Sequence, residues 1–195
     1  MTISRTIVLV AGSDPDRVDC LAERLREHWA VRTAYDAEAA VEIASDEVDV
    51  AVVGDGFSEL GERVLPALYD ADGCRVVQLT EDPSQVVIRD VDRALARPAG
   101  ADDVLAAVQE VRLRARYHEL VEHYYELAVE RSTLLSTDDD LAEVRADELE
   151  RLLDGVRSEI DQVVETLSER DAFSRLCREL TSDDEQDVGN LEAGV

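Results

Sequence analysis

From Thr6 to about residue 110 the chain alternates short β-branched runs with stretches of helical periodicity, a pattern few folds can accept. Thr6–Ala11, Val31–Ala34, Val48–Val53, Arg75–Leu79 and Ala94–Ala96 read as five strands. Asp14-Pro15-Asp16 opens a helix carrying Val18, Leu21, Ala22, Leu25 and Trp29 at spacings of three and four. Asp36 caps a second helix through Ala40, Val41 and Ala44, and Glu62–Tyr69 sets Val64, Leu65 and Leu68 on a third helical face. Strands separated by helices of this length pair in parallel through crossovers. The pattern therefore predicts an α/β domain with a doubly wound five-stranded parallel sheet and ligand or switch sites at the carboxyl ends of its strands.

Past about residue 105 the strand signals stop. Val104, Leu105, Val108, Val111, Ala115, Leu120, Val121, Tyr124, Leu127, Ala128, Arg131 and Leu135 trace one helix of about thirty residues. After a polar break at Ser136–Asp140, the apolar series Leu141, Val144, Leu149, Leu152, Val156, Ile160, Val163 and Leu167 describes a second, close to heptad spacing. The two are expected to form an antiparallel hairpin, or a coiled-coil arm able to pair with another copy. Ala172–Leu180 reads as a short amphipathic helix and Thr181–Val195 as a disordered acidic tail. The expected organisation is thus a first domain over 1–110, a helical domain over 111–180 and a tail over 181–195.

The formal charge is −26, yet 45% of the residues are hydrophobic, enough for a core. All 20 basic residues are arginine. A lysine-free, acid-rich surface suits concentrated salt, where repulsion between carboxylates is screened within about 3 Å at 1 M. The same screening means that the charge argues only weakly against nucleic acid. Cys20, Cys74 and Cys177 lack any CxxC or His-partnered spacing and read as small buried hydrophobes. There is no run of apolar residues long enough to span a bilayer and Met1–Arg5 lacks signal-peptide character, so a cytoplasmic location is expected.

Particular residues carry a resemblance. Val8–Asp16 (VLVAGSDPD) resembles the first strand and loop of response-regulator receiver domains, and Arg32–Ala40 (RTAYDAEAA) resembles their second strand and helix cap. Asp49–Gly61 resembles the third strand and following loop, Val76–Thr80 the fourth strand with its switch Thr, and Ala94–Pro98 (ALARP) the fifth strand with its terminal basic residue and Pro. The resemblance implies the flavodoxin-like form of the doubly wound sheet. Tyr117–Leu135, Glu148–Leu167 and Asp171–Leu180 (DAFSRLCREL) resemble the HalX domain, which follows receivers in halophilic archaeal response regulators.

The resemblance also shows what this chain lacks. A receiver's phosphotransfer needs an acidic pair after the first strand to hold Mg²⁺, a nucleophilic carboxylate ending the third strand, and a cation for the phosphoryl group. The acidic pair aligns with Gly12 and Ser13 and the nucleophile with Gly54, none of which carries a carboxylate. Asp55 is the alternative phosphoacceptor and Asp14 the shifted metal ligand, although a one-residue slip along a strand turns a side chain to the other face. Arg97 stands where receivers carry Lys, with a forked rather than compact charge, and is expected to pair with Asp14 or Asp55. Thr80 matches the switch Thr, but its partner aromatic aligns with Ala94. The interval from Thr80 to Arg97 contains Pro83 and little amphipathic periodicity, so its helix is expected to be shortened or irregular.

Other constellations are bland. His118 and His123 are five apart, a poor ligand spacing on a helix. Arg112, Arg114 and Arg116 form a basic cluster that suits salt bridges to neighbouring acids or, alternatively, nucleic-acid phosphates. Tyr117, Tyr124 and Tyr125 suit a hairpin core and interface better than base stacking. No P-loop, dinucleotide-binding Gly pattern, Ser-His-Asp set or zinc spacing marks an enzyme. The sequence thus predicts a degenerate receiver, or pseudo-receiver, signalling without catalysis, metal or cofactor. It would act by association with a sensor kinase or other signalling protein, or by dimerising through the hairpin. DNA binding through the helical region is the alternative.

Overall fold

The computed structural model describes residues 6–44, 48–54, 63–70, 73–86, 91–136 and 140–188, with the backbone alone at residues 70, 85, 140–143 and 171–188. Two compact units divide at Arg112/Leu113.

In the first unit, β1 (Ile7–Ala11), β2 (Ala30–Ala34), β3 (Val50–Gly54), β4 (Arg75–Thr80) and β5 (Arg93–Ala96) form one parallel sheet in the order β2-β1-β3-β4-β5. The helices α1 (Pro15–Arg26), α2 (Ala37–Ala44) and α3 (Leu65–Asp70) supply the crossovers, and α4 (Ala101–Leu135) begins after β5. This is the doubly wound five-stranded sheet that the alternating pattern predicts. Asp14 is the N-cap of α1 with Pro15 in its first turn, and the Asp36 carboxylate accepts from the Ala39 amide at 2.8 Å. Each carboxylate satisfies an amide that the first helical turn leaves unpaired, which is why these helices start where they do.

Alternation along the strands sorts their side chains into two cores. Leu9, Ala11, Ala51, Val53 and Val76 pack beneath α2 and α3 with Ala40, Ala44, Val64 and Leu68. On the other face, Val8, Val10, Val50, Val52, Val77 and Leu79 meet Val18, Leu21 and Leu25 of α1 and Val104, Ala107, Val108 and Val111 of α4. Both faces of the central strands are covered, so these runs are continuously apolar rather than alternating. Trp29 is 7% exposed in this second core, and the Arg112 guanidinium lies 5.8 Å from its ring centre.

Between β4 and β5 the described residues form a short 3-10 turn, Pro83–Gln85, in line with the irregular segment expected there. The Arg97-Pro98 peptide bond is cis.

The second unit pairs the remainder of α4 with α5 (Asp140–Val188). Leu120 and Leu127 pack with Leu149 and Val156, joined by Tyr124, Leu153, Ile160 and Val163. Arg116 reaches Glu159 at 2.8 Å, whereas Arg131 reaches Glu150 and Arg145 reaches Glu130 at 3.1 and 3.2 Å. Partners that rise along one helix as they fall along the other define the antiparallel hairpin.

Two expectations need correction. The short helix over 172–180 and the disordered tail from 181 are instead one continuation of α5 to Val188, because nothing from Ala172 to Val188 is Gly or Pro; residues 189–195 lie outside the described ones. Cys20 is exposed, since α1 buries Val18, Leu21, Ala22 and Leu25 and turns position 20 away; Cys74 is buried, and the Cys177 side chain lies outside the described residues. Of the tyrosines expected in the hairpin core and interface, Tyr124 packs into the core and Tyr125 is 67% exposed. No helix among the described residues is long and apolar enough to cross a membrane.

Candidate functional site

Because every strand runs in one direction, the carboxyl ends of β1, β3, β4 and β5 share one edge of the sheet. Ala11 pairs with Val53, Gly54 with Leu79, and Thr80 with Ala96, which brings Gly12, Gly54, Thr80 and Arg97 to that edge. The amide of Gly12 donates to the Ala34 carbonyl at 3.0 Å, and that of Arg97 to the Thr80 carbonyl at 2.8 Å. These bonds fix the loop starts relative to the sheet.

A cavity of about 40 Å³ opens there. Gly12, Ser13, Asp14, Gly54 and Arg97 line it, so five of the residues singled out from sequence do meet. Thr80 is not on its wall: it is 9% exposed, and its hydroxyl accepts from the Asp82 amide at 3.4 Å. Asp55 lies outside the described residues. Gly54 continues the row of Val50 and Val52 toward α1, the face on which the cavity opens.

The glycines are not demanded by the backbone. Among described glycines with positive φ stands Gly73 at 82°, not Gly12 or Gly54. Among the described residues, a Cβ on Gly54 would meet only the Ala11 carbonyl at 3.8 Å and Gly12 Cα at 3.9 Å, ordinary van der Waals distances. On Gly12 it would meet Val18 Cγ2 at 3.1 Å, so Val18 would have to shift slightly. A larger residue fits at 54; what glycine removes is chemistry, not strain.

The charges follow a different plan from a metal site. Asp14 is occupied as the cap of α1, its carboxylate accepting from the Arg17 amide at 3.3 Å. Arg97 contacts Glu81 at 3.3 Å; of the two carboxylates that the sequence suggested for it, Asp14 caps α1 and Asp55 lies outside the described residues. Arg17, which sequence reasoning passed over, also lines the cavity; its Nη2 donates to the Ala99 carbonyl at 3.3 Å and its Nε is buried without a hydrogen-bond partner. Its position three residues after the capping Asp14, on the first turn facing the strand ends, is the signal that could have found it. Magnesium, which active receivers use, calls for several hard oxygen ligands. The described lining offers one carboxylate and two guanidinium groups, and no set of three metal-ligating side chains occurs among the described residues. The described residues alone do not make a ligand set for the ion, and Asp55 lies outside them.

The remaining candidates lie elsewhere. Arg112 sits over Trp29, and Arg116 pairs with Glu119 and Glu159. Arg114 is exposed, as are His118 and His123; His123 lies 3.8 Å from Glu126.

No protein-family model matches the chain. A protein of Haloferax volcanii named "Putative transcriptional regulator" is 30% identical over 165 residues, 81% of this chain but 28% of its own length. Among solved structures, a signal receiver domain from Vibrio parahaemolyticus superposes with a TM-score of 0.53 at 16% identity, covering 60% of this chain and 98% of that one. A CheY-like response regulator receiver domain protein from Methanospirillum hungatei gives 0.50 at 19% identity, with 55% and 93% covered. A receiver domain of an HD domain-containing protein from Pseudomonas fluorescens gives 0.50 at 21%, with 57% and 98% covered. The chain therefore has the flavodoxin-like fold of receiver domains, followed by a long helical region.

Proposed function

We propose that the chain is a response-regulator-like signalling component that acts by association, without phosphorylation of an aspartate. The observation that carries this reading is the composition of the strand-end cavity. Gly12, Ser13 and Gly54 align with the positions of the acids, and among the described residues of the wall two arginines stand with a single, already engaged carboxylate. The reading takes 1–110 as a pseudo-receiver and 111–180 as a HalX-like helical domain. It takes the lysine-free surface as adaptation to concentrated salt in a cytoplasmic protein, and a sensor kinase or another signalling protein as partner. Exposed Tyr125 and Val129, one turn apart on α4, support pairing of the hairpin with a second copy. Light scattering at molar salt, with and without a phosphodonor and Mg²⁺, tests it. The same mass in both arms is expected; a change of mass that requires the phosphodonor contradicts the reading.

The name of the Haloferax volcanii relative favours a second reading, transcriptional regulation through DNA binding by the helical region. Against it, Arg112 and Arg116 already contact Trp29, Glu119 and Glu159. Filter binding to a genomic fragment library in molar salt separates the two. Sequence-selective retention lost in an Arg114→Ala, Arg116→Ala variant would establish the DNA reading.

A further inference from the structure

We propose that α4 of the hairpin docks antiparallel on α4 of a second copy of this chain, with the twofold axis passing between Ala128 and Ser132. The inference rests on the association reading above and gives that association a partner and a surface.

A helix covered on one side needs one heptad seam, and α4 carries two. Leu120, Tyr124, Leu127, Arg131 and Leu134 follow steps of four, three, four and three and meet α5. Val121, Tyr125, Ala128, Ser132 and Leu135 repeat those steps one residue later, about 100° round the helix. Val129 lies one turn beyond Tyr125 on the same side. Among the described residues, none of this second set belongs to the hairpin core, and Tyr125, Val129 and Leu135 are 67%, 64% and 56% exposed. The second seam adjoins the interface with α5, so a helix laid on it would extend the hairpin into a bundle.

Charge identifies the class of partner. The chain carries a formal charge of −26, and in molar salt repulsion reaches only about 3 Å, so it acts where surfaces touch. A second copy can therefore meet this one along a line without carboxylates. Over residues 121–136 the acids and arginines are Glu122, Glu126, Glu130 and Arg131, and none stands on the second seam. Glu130 and Arg131 are engaged by Arg145 and Glu150 of α5, and Glu126 lies beside His123. A basic partner would gain most on the acidic faces and least on this stripe.

Shape fits the stripe to itself. In a twofold interface residue i meets j and j meets i. Antiparallel pairing about the point between Ala128 and Ser132 sets Ala128 on the partner's Ser132, and Tyr125 on the partner's Leu135. Two small residues at the centre let the helix axes approach to about 8 Å. The large apolar side chains close both ends, and Val129 meets its own counterpart beside the axis.

The test is sedimentation equilibrium of the full chain in molar salt, joined to disulfide trapping. The mass of two chains is expected. Val129→Glu should weaken association at least about a hundredfold, because a carboxylate from each copy would be buried without a partner. Val144→Glu, at a 68% exposed position on α5, should leave it unchanged. For trapping, Cys20 and Cys177 are first replaced by Ser. Tyr125→Cys protein mixed with Leu135→Cys protein should then form a mixed disulfide. Tyr125→Cys alone should not, since its two copies lie about 15 Å apart along the axis, against a ceiling of about 7 Å.

Any of four results overturns the proposal: the mass of one chain up to about 1 mM, unchanged association in a folded Val129→Glu protein, no disulfide in the mixture, or a disulfide between two Tyr125→Cys chains. If Val129→Glu does not fold, the mass and the trapping arms still decide. Failure here leaves the association reading standing, with a different protein as partner. That reading fails separately, by a change of mass that requires the phosphodonor.

Discussion

Gly54→Ala should stabilise the first unit. The new Cβ would sit 3.8 Å from the Ala11 carbonyl and 3.9 Å from Gly12 Cα, and the backbone at 54 is not in the left-handed region. Among the described residues nothing opposes the change, while the unfolded chain loses freedom, so the gain is about 0.4–1 kcal/mol. Gly12→Ala is the internal control. It brings the same entropic gain but places its Cβ 3.1 Å from Val18 Cγ2, and mild overpacking costs about 1 kcal/mol or more, so it should come out neutral to destabilising. The readout is built in. Trp29 is the one tryptophan of the chain and is 7% exposed in the core shared by α1, α4 and the sheet, so guanidinium unfolding followed by its fluorescence reports this unit. A Gly54→Ala protein less stable than the parent by more than about 1 kcal/mol would refute the claim that glycine at 54 serves neither space nor backbone.

Other consequences can be checked with standard measurements. Burial and the nearby Asp92 and Asp49 carboxylates push the Cys74 thiol up from 9.0 to about 12, so native protein at pH 8 should alkylate at exposed Cys20 and spare Cys74. Since the folded pKa is the higher one, stability from this group is complete below pH 9.0 and is lost as pH rises toward 12. Unfolding free energy should therefore fall by up to about 1.4 kcal/mol per pH unit in that window, a component that Cys74→Ala removes. Leu9→Ala, at a side chain with no exposure in the sheet centre, should cost about 3–5 kcal/mol in equilibrium unfolding. Arg131→Gln breaks a half-exposed pair with Glu150 and should change stability by less than about 0.5 kcal/mol in molar salt; a larger loss would show that the hairpin depends on its ion pairs.

Much of the fold was legible in the sequence because burial on both faces leaves a strong mark. Runs such as Val8–Ala11 and Val50–Val53 have no polar residue, as expected of strands that a covered parallel sheet buries on both faces. The caps Asp14 and Asp36 were legible for a local reason, since each satisfies an amide within three residues. The site was legible in part. Gly12, Ser13, Gly54 and Arg97 meet because strand order and register follow from the fold. Arg17 was missed because its significance depends on a cavity, and a void between α1 and the sheet has no signature in one dimension. The length of α5 was misjudged because an acidic, apolar-poor segment such as Thr181–Val188 reads alike as a solvated helix or as coil.

The central claim is that this receiver-like unit does not store a signal as an acyl phosphate. Intact-mass spectrometry of the full chain after incubation with acetyl phosphate and Mg²⁺ in molar salt tests it most directly, run beside a receiver that keeps its acidic pair and phosphoacceptor. A full phosphoryl adduct is expected on the control protein and none on this chain. A hydroxylamine-sensitive adduct here, mapped to Asp55, would contradict it.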